Sequence, residues 1–269
     1  MYRLVSAFVS ALVLTGPVAA QQSALAEALL LPETVEVLRS EGLDYGDTLA
    51  GDLYAGAPPA VWSEAVDAIF DETVLLDGLT AALEARTDEA SAQATIDFFT
   101  APPGQEIARR EVAARRALLD ETVEAAAESG AAEALSDGGP RIALLQDYLD
   151  RNDVIETEVT SSMNLSLAFY QGLRDGGALG AVEDSQILQD IYDRAPDIRR
   201  DVTERILSFY WLAYQSISLE DLETYVTFLD SPPAQAVNDA LTAAFDEVYG
   251  RASRQLGRIA ASQMRGSDL

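Results

Sequence analysis

The chain contains no cysteine, no histidine and no lysine; all 18 of its basic residues are arginine. Each absence removes a branch of chemistry. Without cysteine there is no disulfide, no thiolate nucleophile and no lipidated N-terminal Cys. Without histidine the usual general base, the serine triad and the commonest zinc ligand are gone. Without lysine there is no Ser-Lys dyad, no Schiff base and no anchor for pyridoxal phosphate. Arginine stays protonated near neutral pH and cannot take over proton transfer. Asp, Glu, Ser, Thr, Tyr and Arg remain. Carboxylate-based hydrolysis and carboxylate-bound metal chemistry survive this cut. Even so, no catalytic set, cofactor motif or metal-ligand spacing stands out, and no cofactor is expected.

Positive charge is scarce as well. Against 45 Asp and Glu, the 18 arginines leave a net charge of −27. A phosphate backbone is repelled by such a surface, which argues against general nucleic-acid binding. The acidity reads as a solubility device. The hydrophobic content of 48% is ample for a sizeable core.

Residues 1–20 carry one charged residue, Arg3, then an apolar run from Leu4 to Leu14. Gly16 and Pro17 break the run, and Val18-Ala19-Ala20 supplies small residues for cleavage before Gln21. This is the pattern of a secretory signal peptide. The run is far shorter than the roughly 20 residues a membrane span needs, and no later stretch reaches that length. The expected address is the periplasm or the cell exterior.

The remainder is rich in Ala, Leu, Glu and Arg, all strong helix formers. Period-two runs of β-branched and aromatic residues are missing, so the fold class is all-α. A short helix is expected over Ser23–Leu30, then one from Pro32 to about Arg39 that restarts after Gly42. Gly56-Ala57-Pro58-Pro59 is a break. Long helices are expected over about 60–85 and 105–135, with a short one capped by Asp88 between them. Ser136 to Pro140 is the best linker. Beyond it come helices to about Arg151 and over 154–173, a glycine-bearing loop, and a helix over 185–215 kinked or divided at Pro196. Ser218 with Asp221 opens a helix through Leu229, and Ser231-Pro232-Pro233 starts the last one.

Two segments match at an offset of 130. Phe98-Phe99-Thr100-Ala101-Pro102-Pro103-Gly104-Gln105 aligns with Phe228-Leu229-Asp230-Ser231-Pro232-Pro233-Ala234-Gln235. Each follows a short capped helix and opens a long one. The expected architecture is two duplicated multi-helix units of antiparallel helices: residues 21–136 and 141–265, a linker at 137–140, and a disordered tail at 266–269. Proline suits the first helical positions because its missing N–H is not needed there. The preceding hydrophobic pair can wedge against the next helix, making a tight corner.

Phe228, Ser231, Pro232 and Gln235, with Ala234 in place of Gly, resemble the Phe-x-x-Ser-Pro-x-Gly-Gln signature of the bacterial domain of unknown function 2059. Phe98, Pro102, Gly104 and Gln105 resemble it too, with Ala101 in place of Ser. The resemblance covers about 45 residues in each half. It implies export and an all-helical fold, and it brings no catalytic residues.

Three further clusters deserve testing. Asp150, Asp153, Glu156 and Glu158 form an acidic group without calcium-loop spacing, expected to be solvated surface. Arg109, Arg110, Arg115 and Arg116, and later Arg251, Arg254 and Arg258, could grip an anionic partner. The simpler expectation is helix-surface pairing: Glu106 with Arg110, Glu111 with Arg115, Glu247 with Arg251. Phe209, Tyr210, Trp211 and Tyr214 lie in a stretch apolar nearly all round. They are expected in the core, or lining an apolar ligand pocket. The leading functional expectation is a non-catalytic module that binds an envelope macromolecule or an amphiphile. A carboxylate-dependent envelope hydrolase and a self-assembling helical protein are the alternatives.

Overall fold

The computed structural model describes residues 24–54, 56–180 and 182–266. The signal segment and the last three residues of the expected tail lie outside them. All regular structure among the described residues is helical, with no strand. After a helical turn at residues 24–28 come α1 (Leu31–Leu53), α2 (Ala60–Ile69), α3 (Glu72–Glu84), α4 (Glu89–Phe99), α5 (Gly104–Ala117) and α6 (Glu121–Asp137). The chain continues with α7 (Pro140–Arg151), α8 (Val154–Asp175), α9 (Asp184–Asp193), α10 (Ala195–Tyr214), α11 (Leu219–Leu229) and α12 (Pro232–Gly266). None is long and apolar enough to cross a membrane.

Side-chain caps decide several boundaries. Asp88 accepts from the N–H groups of Ala90 and Ser91, and Ser218 accepts from that of Asp221. These two starts agree with the sequence reading. Two others were hidden inside long apolar patterns. The stretch 60–85 divides because Asp71 accepts from the Val74 N–H and begins α3. The stretch 105–135 divides because Asp120 accepts from Thr122 and Val123 and begins α6. An aspartate cap satisfies orphan donors of the new helix, so periodicity can continue in sequence while the axis turns. Pro196 separates α9 from α10. The linker is short: α6 runs through Asp137, Gly138 and Gly139 take positive φ, and Pro140 begins α7.

The expected stop near Gly42 does not occur; α1 continues to Leu53. Two of its glycines, Gly42 and Gly46, serve close approach. A Cβ on Gly42 would sit 2.3 Å from the Phe70 ring, and one on Gly46 would sit 2.5 Å from Val66. A mid-helix glycine costs about 1 kcal/mol relative to alanine, and the contact with α2 offsets it.

Two cores organise the array. One gathers Trp62, Leu75, Leu79 and Leu83 from α2 and α3 with Val248 and Leu256 of α12. The other gathers Ile107 of α5, Leu145 of α7, Tyr214 of α10 and Leu222 and Tyr225 of α11 around Phe99. A small third cluster holds Leu149, Val159, Val202 and Ile206. In both large cores, helices from before Gly138 pack on helices from after it: α3 and α4 on α12, and α10 on α5 and α6. Element bounds also recur at the offset of 130. Helices α3 and α10 end at Glu84 and Tyr214, and α4 and α11 cover Glu89–Phe99 and Leu219–Leu229. The span taken by α5 and α6 together corresponds to α12, which passes unbroken through the position where Asp120 turns the chain.

Candidate ligand cavity at the paired corners

The two Pro-Pro corners face each other. Phe98 and Phe228, the matched aromatics of the two segments, stack with ring centroids 3.9 Å apart and planes 2° from parallel. Phe99 meets Phe228 edge-on at 5.9 Å. Such offset and edge contacts add about 0.5–1.5 kcal/mol per pair beyond area burial. Gly104 is buried against this wedge, and a Cβ there would lie 2.4 Å from the Phe98 carbonyl oxygen. Glycine is therefore the residue that lets α5 start so close behind α4. At the second corner Ala234 is tolerated in the matching place and is itself buried. Pro102 and Pro103, like Pro232 and Pro233, set the turn. Gln105 is half-buried and Gln235 exposed beside it, and neither lines the cavity described next. Ser231 is a weak cap, its hydroxyl lying 3.5 Å from the Ala234 N–H.

Behind the corners lies a cavity of about 280 Å³. Helix α4 supplies Thr95 and Phe99, α5 supplies Ala108, Glu111 and Arg115, and α12 supplies Asn238, Leu241 and Phe245. Tyr148 of α7, the α10 side chains Phe209, Tyr210 and Tyr214, and Tyr225 and Phe228 of α11 complete an aromatic wall. Positions at the offset of 130 enter in pairs: Thr95 with Tyr225, Phe99 with Leu229, Ala108 with Asn238, Glu111 with Leu241, Arg115 with Phe245. The cavity is thus walled by corresponding turns of the two segments.

Among the described residues, Glu111 is its only acidic lining residue. The hydroxyls of Tyr214 and Tyr225 both donate to its Oε1, at 2.5 and 2.7 Å. Burial pushes the Glu111 carboxyl above its usual range; the two phenols and the nearby Arg115 guanidinium pull the other way. The same burial, with the Glu111 charge next, holds Tyr214 and Tyr225 well above the ordinary phenol value. Tyr148 is raised to about 12 for the same two reasons, in that order. The phenols are therefore neutral donors at any ordinary pH. Arg115, one turn on, points to Glu41 of α1 at 3.8 Å rather than to Glu111. Thr95 is 1% exposed, and its hydroxyl has no hydrogen-bond partner. Buried hydroxyls are nearly always paired, so an orphan beside a cavity marks a place where something polar can sit.

The four residues expected to share an apolar pocket are divided. Phe209, Tyr210 and Tyr214 line this cavity. Trp211 turns away and lies over Gly130 of α6, lining a second cavity of about 380 Å³ together with Tyr210, Leu207 and Arg141. Arg141 there donates to the carbonyls of Tyr214 and Ile217, at 2.6 Å each, and closes the end of α10.

Helix-surface pairing accounts for most of the arginines. Arg110 pairs with Glu106 and Arg251 with Glu247, as the spacing predicts. The Glu111–Arg115 pair does not form, because Glu111 faces inward. Arg116 reaches Glu36 of α1, and Arg254 and Arg258 share Asp175 of α8. In the acidic group Glu156 binds Arg199 through two bonds and Glu158 faces Arg205. Among the described residues no cluster of acids is arranged to hold a metal ion.

Thr95 went unnoticed in the sequence, and Glu111 was read there as a surface partner of Arg115, although a signal to the contrary existed. Glu111 lies on the helical face of Ile107, Ala108 and Ala114, all buried, and a carboxylate on an apolar stripe is the informative exception.

No protein-family model matches the chain, and no curated protein and no solved structure matches it either.

Proposed function

We propose that this chain is an exported, non-catalytic binding protein of the cell envelope that holds a small amphiphile in the cavity behind its Pro-Pro corners. One observation carries the proposal: an aromatic-walled cavity contains a half-buried carboxylate and an orphan threonine hydroxyl. Apolar walls with a few convergent polar groups are the usual make-up of a small-molecule site. The hydrolase reading needs two acids converging on one bond, whereas Glu111 is the one acid among the described lining residues. The resemblance to the domain of unknown function 2059 and the two-copy reading belong to the same proposal. They are supported by the matched corners and by the paired lining positions.

Binding stabilises the folded state by mass action. Hexanol and its longer homologues should therefore raise the melting temperature of the mature protein in a saturable way. Leu241→Trp, which fills the cavity, should remove that response. An unchanged melting temperature with every homologue, or an equal rise in Leu241→Trp, would refute the site. For the address, the N-terminus of protein recovered from the cell exterior or periplasm should begin near Gln21; an intact Met1 terminus would refute export.

A further inference from the structure

Within that cavity the polar groups are unevenly spent. Both tyrosine hydroxyls converge on Oε1 of Glu111, and among the described residues none donates to Oε2. The neighbouring cation, Arg115, serves Glu41. Glu41 is itself partly desolvated and feels Arg115 and Arg205, so Arg115 has its own acid to balance. Glu111 is left as a carboxylate in an aromatic enclosure without an ion pair among the described residues. A desolvated carboxylate whose nearest cation, Arg115, is engaged by another acid is only partly balanced, and that is costly. The phenols ease that cost through hydrogen bonds but bring no positive charge. The enclosure is rich in the rings that attract organic cations to their faces, with Tyr210, Phe228 and Phe245 among them. The Thr95 hydroxyl offers one more acceptor for an N–H.

We infer that the head group this cavity takes is an organic ammonium, seated between Glu111 Oε2, the Thr95 hydroxyl and the surrounding aromatic rings, with the apolar tail of the ligand along Leu241. The inference rests on the cavity being a ligand site, and it adds the sign of the ligand's charge. A neutral alcohol would find the same apolar wall but would leave the Glu111 charge unbalanced. An anion would meet that charge directly.

Three probes of equal chain length separate these cases: hexylammonium, hexanol and hexanoate, titrated calorimetrically into the mature protein at neutral pH. Hexylammonium should bind on the order of tenfold more tightly than hexanol, and hexanoate most weakly. Glu111→Gln should remove the preference, bringing hexylammonium down to the value that the same variant shows for hexanol. The wild-type protein gives a second readout that needs no variant. The groups facing Glu111 are Arg115 on its own helix, Tyr214 and Tyr210 from α10, Tyr225 from α11 and Tyr148 from α7. Among them only Glu111 changes charge in the acid range. Hexylammonium affinity should therefore rise as pH climbs through the Glu111 titration, while hexanol affinity stays flat. Hexanol binding as tightly as hexylammonium, or hexanoate binding best, would overturn the ammonium assignment and leave the cavity reading standing. If none of the three binds, both fall.

Discussion

At the residue scale, Glu111 sets an unusual pH dependence. Its carboxyl is raised above the ordinary value, chiefly by burial. Below the ordinary carboxylate pKa both the folded and the unfolded chain hold the proton, and the folded chain keeps the full benefit. As pH rises the unfolded chain ionises first, and that benefit is lost by the time pH has passed through the raised folded value. Glu111→Gln should therefore gain on the wild type as pH rises from the ordinary carboxylate pKa through the raised folded value, read as a growing difference in urea midpoints. A constant gap across that range would mean that Glu111 is not desolvated. The residue also shows where sequence reading reached its limit. Spacing predicted the partner Arg115, four residues on, and i to i+4 pairing is a sound rule for an exposed face. The rule failed because helix α5 turns Glu111 toward α10 and α11, whose tyrosines lie more than a hundred positions away in sequence. Phe209, Tyr210 and Tyr214 were recognised as a unit because they are neighbours in sequence. Thr95 was not, since nothing local distinguishes an orphan hydroxyl from a paired one.

At the element scale, helix identity was legible almost throughout and helix continuity was not. Asp88 and Ser218 were readable as caps because a proline, glycine or polar break stands nearby. Asp71 and Asp120 sit inside stretches whose apolar periodicity continues on both sides. Asp120→Ala should lower the urea midpoint by leaving the first N–H groups of α6 without their cap, measured by chemical denaturation. Its carboxyl is held below the ordinary value by the N–H groups of Thr122 and Val123, so its contribution is present above the unfolded pKa and lost as pH falls through the folded one. The defect should accordingly shrink in acid, opposite to the Glu111 trend. Glycine was misread in the other direction, as a stop rather than a contact. The crossing of α8 and α12 shows the same use: a Cβ on Gly172 would lie 2.1 Å from the Arg254 carbonyl oxygen, and one on Gly257 2.1 Å from that of Phe169. Backbone cannot yield as a flexible side chain can. Gly172→Ala should destabilise by about 3 kcal/mol, with a matching fall in melting temperature. An effect below about 0.5 kcal/mol would show that the two helices can separate freely.

At the scale of the whole molecule, the all-α class followed from composition and periodicity, since no segment carries a strand pattern. How the helices combine did not. A match at a fixed offset suggests two units side by side, each burying its own apolar faces. Yet α12, besides lying on α8, is covered by α3 and α4 from before Gly138, and α10 lies on α5 and α6. Stripes specify how much surface must be buried and leave open which partner buries it. That exchange has a consequence for the chain as a polymer. Cut at the glycine pair between α6 and α7, it should yield two fragments of much reduced stability, since α12 keeps α8 but loses α3 and α4, and α10 loses α5 and α6. Mixed together, the fragments should regain helical circular dichroism in a concentration-dependent way. Two pieces that fold independently and ignore each other would contradict the packing. The covalent link at Gly138-Gly139 thus acts as a tether for mutual chaperoning, and its few residues set the effective concentration at which the halves find one another.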